Sequence, residues 1–167
     1  WLAKTKLNNQ RGKDYVNNIY EGGVVDGLTV NKGAVVYVYG GAKLTGDIVL
    51  NSKINAVNAE LNFNLVGKDL FNDDWCVTNF SNLNGSGMTY TLDLAFNQDA
   101  GEYKLASKAQ NFNGVVRFVT NATSAGSSTA NTYHDLELGV RYYHEEANRY
   151  LTLEKVDGNL MLKVEYD

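Results

Sequence analysis

An approximate internal repeat constrains this chain more than any other feature of its sequence. Residues 22–31 read GGVVDGLTVN and residues 40–51 read GGAKLTGDIVLN, so a Gly-Gly pair, a Leu-Thr pair and a final Asn recur. The period is about 18 to 20 residues, which suits one coil of a β-solenoid, because two or three short strands fit between Gly or Asn corners. Two ordinary hairpins that share turn residues are the alternative interpretation.

The repeat is too short to form a stable solenoid by itself, since a continuous core usually needs roughly three repeats. We therefore expect the coils to pack against another element or to continue in sequence beyond these 167 residues. A beginning at Trp1, with neither a Met nor a charged and apolar leader, indicates a processed piece of a longer precursor.

After Asn55 the hydrophobic residues alternate with a period of two, which is typical of half-buried strands. Within residues 59–66, the side chains predicted to be buried are Ala59, Leu61, Phe63 and Leu65. Those predicted to face solvent are Glu60, Asn62 and Asn64. Within residues 89–96, burial is predicted for Tyr90, Leu92, Leu94 and Phe96.

Later segments read as further strands and turns. Strands are predicted at residues 102–106, 115–120, 136–143, 150–156 and 160–166. Asp157-Gly158 joins the last two as a tight hairpin, because both positions tolerate positive φ. Residues 105–110 alone have helical character, but the segment is too short to be a stable helix without tertiary contacts. Residues 120–132 read as a surface loop.

These patterns predict an all-β fold in which short, right-handed β-solenoid coils pack against or continue into an antiparallel β-sandwich-like segment. Residues 1–56 would form an N-terminal cap and the coils, and residues 57–167 the antiparallel segment. One continuous domain is the alternative. A content of 16 Gly, 11 Tyr and no Pro agrees with this, because Tyr is enriched in strands and Gly in turns.

The charge balance and the apolar runs exclude two classes of partner. A net charge of -4 and a pI near 5.2 disfavour the basic surface that nucleic-acid binders use. The longest apolar run, residues 33–39, is far shorter than the roughly 20 residues of a membrane-spanning helix. We expect neither nucleic-acid binding nor direct membrane insertion.

The residues that could carry chemistry do not form a recognisable motif. His134 and His144 lack the His-x-x-x-His spacing of metal sites, so we expect no metal and no cofactor. Cys76 cannot form a disulfide within the chain. We expect it to pack as a small thiol beside Trp75, with a reactive role as the alternative.

The paired carboxylates are also poor candidates for catalysis. Asp73-Asp74 and Glu145-Glu146 are adjacent in sequence, so within a strand the two members of each pair would point in opposite directions. We therefore predict no catalytic residues and no enzymatic activity.

Tyrosines are the strongest candidates for a binding surface. Tyr37 and Tyr39 would share one face of a strand, and Tyr133, Tyr142 and Tyr143 lie near the two histidines in sequence. Tyrosines beside Asn and Asp suit sugars or protein surfaces. The alternative for each tyrosine is that it covers an edge of the core.

Several segments resemble a known family. Residues 22–55, with Gly-Gly, Asp-Gly-Leu-Thr-Val-Asn and Gly-Ala-Val-Val-Tyr-Val, resemble the AIDA-type β-helical repeats of bacterial autotransporter adhesins. The segments that resemble the β-rich region after such repeats are residues 54–63, 88–92, 101–106, 111–114, 150–153 and 158–164. The resemblance implies a secreted or bacterial cell-surface protein and carries over no catalytic motif, although the chain has fewer repeats than that family.

The sequence thus predicts a non-enzymatic, adhesin-like module that presents a rigid β surface for binding or structural display. Its partners would be a host surface, a carbohydrate or neighbouring domains of the same protein. A carbohydrate-binding or carbohydrate-active β module that uses surface Tyr and Asp/Glu is the alternative, and a purely structural spacer is a third possibility.

Overall fold

A computed structural model describes residues 2–3, 6–7, 16–70, 74–120 and 132–167 of the chain. This part of the protein is all-β, with nineteen strands, two 3₁₀ turns at Phe80–Asn82 and Glu145–Ala147, and no α-helix. Accordingly, none of its helical segments has the length and apolar character to cross a membrane.

The strands form three sheets. The first sheet contains β1 (Leu2–Ala3), β4 (Val24–Asp26), β7 (Lys43–Thr45), β10 (Glu60–Asn64), β13 (Thr89–Asp93), β15 (Val116–Thr120) and β16 (Thr132–Leu136). The second contains β2 (Lys6–Leu7), β5 (Thr29–Val30), β8 (Ile48–Leu50), β11 (Val77–Thr78), β14 (Gly101–Ala106), β17 (Arg141–His144), β18 (Arg149–Val156) and β19 (Asn159–Tyr166). The third contains β3 (Val16–Ile19), β6 (Val35–Val38), β9 (Ile54–Val57) and β12 (Leu83–Ser86).

From β1 to β12 the chain passes through the first, second and third sheets in turn, four times over. From β4 onward, each of these strands pairs in parallel with the strand three places before it. Val24 pairs with Lys43 and Thr29 with Val49, offsets that agree with the period read from the sequence. Hairpins would have given antiparallel pairs, so the hairpin interpretation of the repeat is wrong.

The corners before the first-sheet strands use residues that accept a left-handed backbone. Gly22, Gly41, Asn58 and Gly87 have φ of 80°, 83°, 52° and 64°. The Gly22 amide donates to the Gly41 carbonyl and the Gly41 amide to the Asn58 carbonyl, each at 3.2 Å. Glycine and asparagine recur in the sequence here because other side chains would be strained at positive φ.

Beyond β12 the three sheets end differently. β13 and β14 continue the first and second sheets in parallel, and β15 adds to β13, whereas β12 is the last of the described strands in the third sheet. Antiparallel strands then follow: β16 pairs with β15, and the β17, β18 and β19 strands extend the second sheet from β14. Parallel pairing therefore continues well past residue 56, and the antiparallel pairing expected for all of residues 57–167 is confined to these later strands.

One hydrophobic cluster connects the sheets and includes residues on both sides of the predicted boundary at residue 56. Leu44 and Leu61, for example, are partners in neighbouring strands, and both are fully buried. Complete burial of such a side chain contributes about 1.5–3 kcal/mol. The sheets and the hydrophobic cluster both continue across residue 56, and the division into two domains stays a prediction.

Several local predictions are confirmed. Ala59, Leu61, Phe63 and Leu65 are buried, and the Asp157-Gly158 hairpin has φ of 52° and 76° at its two central residues. Thr120 and Thr132 pair across β15 and β16, and the predicted loop between them lies outside the described residues.

Residues 105–110, which are too short to form a stable helix without tertiary support, are not helical; β14 runs to Ala106 and the chain then bends through Lys108 at φ 50°. Other local predictions are wrong. The predicted strand at residues 136–143 is two strands separated around Gly139, which has φ 77°. β13 ends at Asp93, so Phe96 lies beyond it and is exposed.

Asn62 is the most informative of these errors, because it was expected to face solvent and is only 1% exposed. It lies on the polar side of β10 in register with Thr91 of β13. The Thr45 hydroxyl donates to Asn62 Oδ1 at 2.7 Å, and Asn62 Nδ2 donates to Thr91 Oγ1 at 2.9 Å. The neighbouring Thr45 and Thr91 side chains therefore cover Asn62 and make hydrogen bonds to both its amide oxygen and its amide nitrogen.

Candidate functional site

Tyr37 and Tyr39 lie on the outer face of the third sheet, as their spacing predicted. Val36 and Val38 of β6 are fully buried, so the alternation of the strand directs Tyr37 outward. The two rings are 39% and 42% exposed. Neither tyrosine is buried in the core, so both are available to a binding partner.

Tyr20 joins this surface, although the sequence analysis did not select it. Its ring stacks on that of Tyr39 with centroids 5.1 Å apart and planes at 10°, and it remains 61% exposed. The repeat could have revealed it, because Tyr20 precedes Gly22 by two residues and Tyr39 precedes Gly41 by two residues. The two tyrosines therefore occupy equivalent positions in successive rounds of the chain.

Amide side chains flank the tyrosines in register. Asn18, Tyr37, Asn55 and Asn84 are Cα partners across β3, β6, β9 and β12. The Tyr39 hydroxyl donates to Asn18 Oδ1 at 3.3 Å, and Asn84 Nδ2 donates to Asn55 Oδ1 at 2.7 Å. We call this surface the tyrosine–asparagine face; its residues are Asn18, Tyr20, Tyr37, Tyr39, Asn55 and Asn84.

The other three candidate tyrosines lie on strands β16 and β17, in different sheets. Tyr142 stacks on His134 with ring centroids 3.7 Å apart, and the exposed Tyr133 ring lies 5.8 Å from the Arg117 guanidinium. Tyr143 faces away from Tyr142 and donates to Asp167 Oδ2 at 3.0 Å. The structure therefore brings Tyr142 to His134, but it does not bring all five candidate tyrosines together.

A groove runs across the end of the molecule where the third sheet stops. Its first cavity, of about 320 Å³, is lined by β12 and by residues 111–114, and the aromatic rings in it are Phe80, Tyr90 and Phe112. A second cavity of about 340 Å³ shares Met88, Tyr90 and Gly114 with the first and reaches the Arg117–Asp135 ion pair. A third, of about 220 Å³, shares Asp135 and contains His134 and Tyr142. We call this series of cavities the end groove.

The aromatic rings of the end groove pack edge to face. The Phe112 ring lies 5.9 Å from Phe80 and 5.1 Å from Tyr90, both at 66°. Burial raises the pKa of Tyr90, so its phenol stays neutral. The sequence predicted Tyr90 only as a core residue, because nothing in the local pattern shows that β12 is the last described strand of the third sheet.

Each of the two histidines packs against an aromatic ring, His134 against Tyr142 and His144 against Phe118. His144 is buried with its ring edge-on to Phe118 at 4.8 Å, and burial lowers its pKa against the opposing effect of Glu146. Within the ranges that the structure describes, no three His, Cys, Asp or Glu side chains are placed to hold a metal ion.

Cys76 is fully buried, and its thiol lies 3.8 Å from the carbonyl oxygen of Asn64. Burial raises the pKa of this thiol to about 11, so almost no thiolate is present at neutral pH. Trp75 beside it is half-buried, with the Lys104 ammonium 5.6 Å from its ring. This environment fits the packed thiol that the sequence favoured.

The structure describes both residues of the Glu145-Glu146 pair but only Asp74 of the Asp73-Asp74 pair. Glu145 and Glu146 are exposed in the 3₁₀ turn after β17. Asp74 is exposed, and Asp73 lies outside the described residues.

A comparison with known proteins found no family model, no curated protein and no solved structure that matches this chain.

Proposed function

We propose that this chain is a non-enzymatic binding module of a secreted or bacterial cell-surface protein, built on a short right-handed β-solenoid that ends in antiparallel strands. The regular visits to three sheets, the parallel pairs and the stacked left-handed corners support the solenoid. The resemblance of residues 22–55 to AIDA-type adhesin repeats supports the cell-surface location. A host surface, a carbohydrate or a neighbouring domain would be the partner.

The observation that carries this proposal is the tyrosine–asparagine face. Four parallel strands hold Tyr37 and three amides in fixed register, so a ligand would meet a surface that needs little ordering on binding. Tyr20 and Tyr39 follow β3 and β6 directly and stack on each other. Tyrosine is enriched at binding hot spots because it combines a large apolar ring with a hydroxyl. Asparagine adds both a donor and an acceptor.

A carbohydrate is the second candidate function for the same face, as a more specific form of binding. The Tyr20 and Tyr39 rings are nearly parallel and largely exposed, and the Asn18 amide lies within hydrogen-bonding distance of Tyr39. Aromatic faces accept the apolar C–H side of a sugar ring, and neighbouring amides can bond its hydroxyls.

The test is a screen of immobilised glycans and polysaccharides with the wild-type chain and the Tyr39→Ala variant. Loss of the Tyr39 ring should weaken binding about 10-fold or more, the usual effect of truncating an aromatic hot spot. Tyr166→Ala is the control, because Tyr166 is also exposed but lies on the second sheet. Binding without any released product, lost in Tyr39→Ala only, would support the proposal.

Two results would contradict it. Glycan binding that Tyr39→Ala leaves unchanged would move the site away from the tyrosine–asparagine face. Absence of binding to every glycan, and to host-cell and matrix preparations, would favour a structural spacer.

A further inference from the structure

We infer that the free edge of β12 binds an extended polypeptide segment of a partner, which adds as a fifth strand to the third sheet. This edge lies at the end of the sheet and shares Asn84 with the tyrosine–asparagine face, whereas Tyr39, the residue on which the glycan test rests, lies outside β12. The three sheets end unequally beyond β12.

At the end that follows β12, the other two sheets are continued by the chain itself. β15 and β16 extend the first sheet beyond β13, and β19, β18 and β17 extend the second beyond β14. In the third sheet, β12 pairs only with β9 among the described strands. Residues 111–114 lie across the 320 Å³ cavity from β12 without pairing with it, so the open position is a cleft between this edge and that segment.

The backbone of β12 presents hydrogen-bonding groups on this side. The Asn58 amide donates to the Ser86 carbonyl at 2.8 Å, so the Ser86 backbone faces β9. Backbone groups alternate in direction along a strand, which turns the amide and carbonyl of Gly85 to the open side. An edge of this kind is a template for another strand. Gly85 is also exposed, and it has no side chain to obstruct the approach.

The cavity beside this edge defines the side-chain pattern of the incoming segment. Gly85 is in register with Ala56 and Val38, both buried, so its row points inward. On an added fifth strand, the residue beside Gly85 would continue this inward row and would enter the 320 Å³ cavity lined by Phe80, Met88, Tyr90 and Phe112. An apolar side chain of the partner would fill it and remove aromatic surface from water.

The outward-facing residues indicate which side chain the partner should place on the solvent side. Asn84 is the last residue in the row of Cα partners Asn18, Tyr37 and Asn55, and it is exposed. A polar residue of the partner beside Asn84 would continue the amide contacts already made between Asn84 and Asn55. The occupant is therefore a short extended segment in which an apolar residue is flanked by polar ones.

A synthetic peptide with the sequence of residues 51–60 is a suitable probe, because it contains β9, the strand that already pairs with β12 on its other edge. Amide hydrogen exchange followed by NMR gives the readout. At a peptide concentration ten times the Kd, exchange of the Gly85 amide should slow about tenfold, since protection follows 1 + [L]/Kd. Exchange of the Asn58 amide should not change, because it is already bonded within the sheet.

Gly85→Pro and Gly85→Ala form a matched pair of variants. Proline removes the amide donor at the open edge, whereas alanine keeps it, and either side chain must displace the Met88 side chain, which lies 2.7 Å from a Cβ at this position. We expect Gly85→Pro to weaken peptide binding at least about 10-fold relative to Gly85→Ala. The exchange measurement on the wild type decides the question if the proline variant does not fold.

Three results would overturn the inference. One is an unprotected Gly85 amide at millimolar peptide, and another is equal binding by the proline and alanine variants. The third is slow exchange of Gly85 in the free protein, which would mean that the chain or a second copy of it already covers the edge. Protection of Gly85 by a glycan and not by the peptide would assign the edge to a different class of ligand and would also count against it.

Discussion

Replacing Asn62 with alanine tests the packing of the first sheet, because sequence and structure predict different outcomes. The alternating pattern of residues 59–66 places Asn62 in solvent, and an exposed substitution usually changes stability by less than about 0.5 kcal/mol. The structure buries it between Thr45 and Thr91 with two hydrogen bonds. Each such bond contributes about 0.5–1.5 kcal/mol, so Asn62→Ala should lower the free energy of unfolding by about 1–3 kcal/mol.

Urea denaturation and differential scanning calorimetry measure this difference. The expected loss corresponds to a decrease in Tm of about 2–12 °C for a chain of this size. Asn113→Ala is the control, because Asn113 is exposed and its substitution should stay within about 0.5 kcal/mol of the wild type. If Asn62→Ala were as stable as Asn113→Ala, the polar network across β7, β10 and β13 would not exist as described.

Two further predictions concern buried titratable groups. Because burial lowers the pKa of His144 below its ordinary 6.5, the unfolded chain binds this proton more readily, and stability should fall as the pH drops below about 6.5. His144→Phe should flatten that part of the pH profile, measured by urea denaturation between pH 7.5 and pH 5; an unchanged profile would place the acid sensitivity elsewhere. Because the pKa of Cys76 is raised from 9.0 to about 11, its thiolate fraction at pH 8 falls about 100-fold. Its reaction with a soluble disulfide reagent should be slower by at least that factor in the native protein than in urea, and equal rates would show that the thiol is accessible.

The features that could be predicted from the sequence are those fixed by local chemistry. The Gly-Gly and Asp-Gly positions require a left-handed backbone, and Gly22, Gly41 and Asp157 all adopt it. The repeat period could be read because each round places equivalent residues at equivalent corners. The same reasoning placed Tyr37 and Tyr39 on an outer face, since their alternation with Val36 and Val38 depends only on the strand itself.

The features that could not be predicted depend on which strands become neighbours. Alternation in residues 59–66 gives two faces but does not show that Thr45 and Thr91 will cover Asn62. It also cannot distinguish parallel from antiparallel partners, so the parallel pairing of β10 with β13 was missed. The long insertion between β10 and β11 hid the repeat, because Glu60 pairs with Thr89, well outside the period of the earlier rounds.

The sequence analysis did not predict the end groove, because a strand position that no segment fills leaves no pattern in the sequence. Residues 107–115 follow β14 where another third-sheet strand would be needed, but their sequence, SKAQNFNGV, lacks the alternation that could bury an inward row. Phe112 instead packs against Phe80 and Tyr90, which closes the core while β12 pairs with β9 alone among the strands that the structure describes. Proteins usually blunt an exposed edge with charge, proline or a covering segment, and residues 83–86, Leu-Asn-Gly-Ser, contain no charge and no proline. An edge left this open is exposed to unwanted pairing with other strands, and a partner strand that occupies it would remove that exposure.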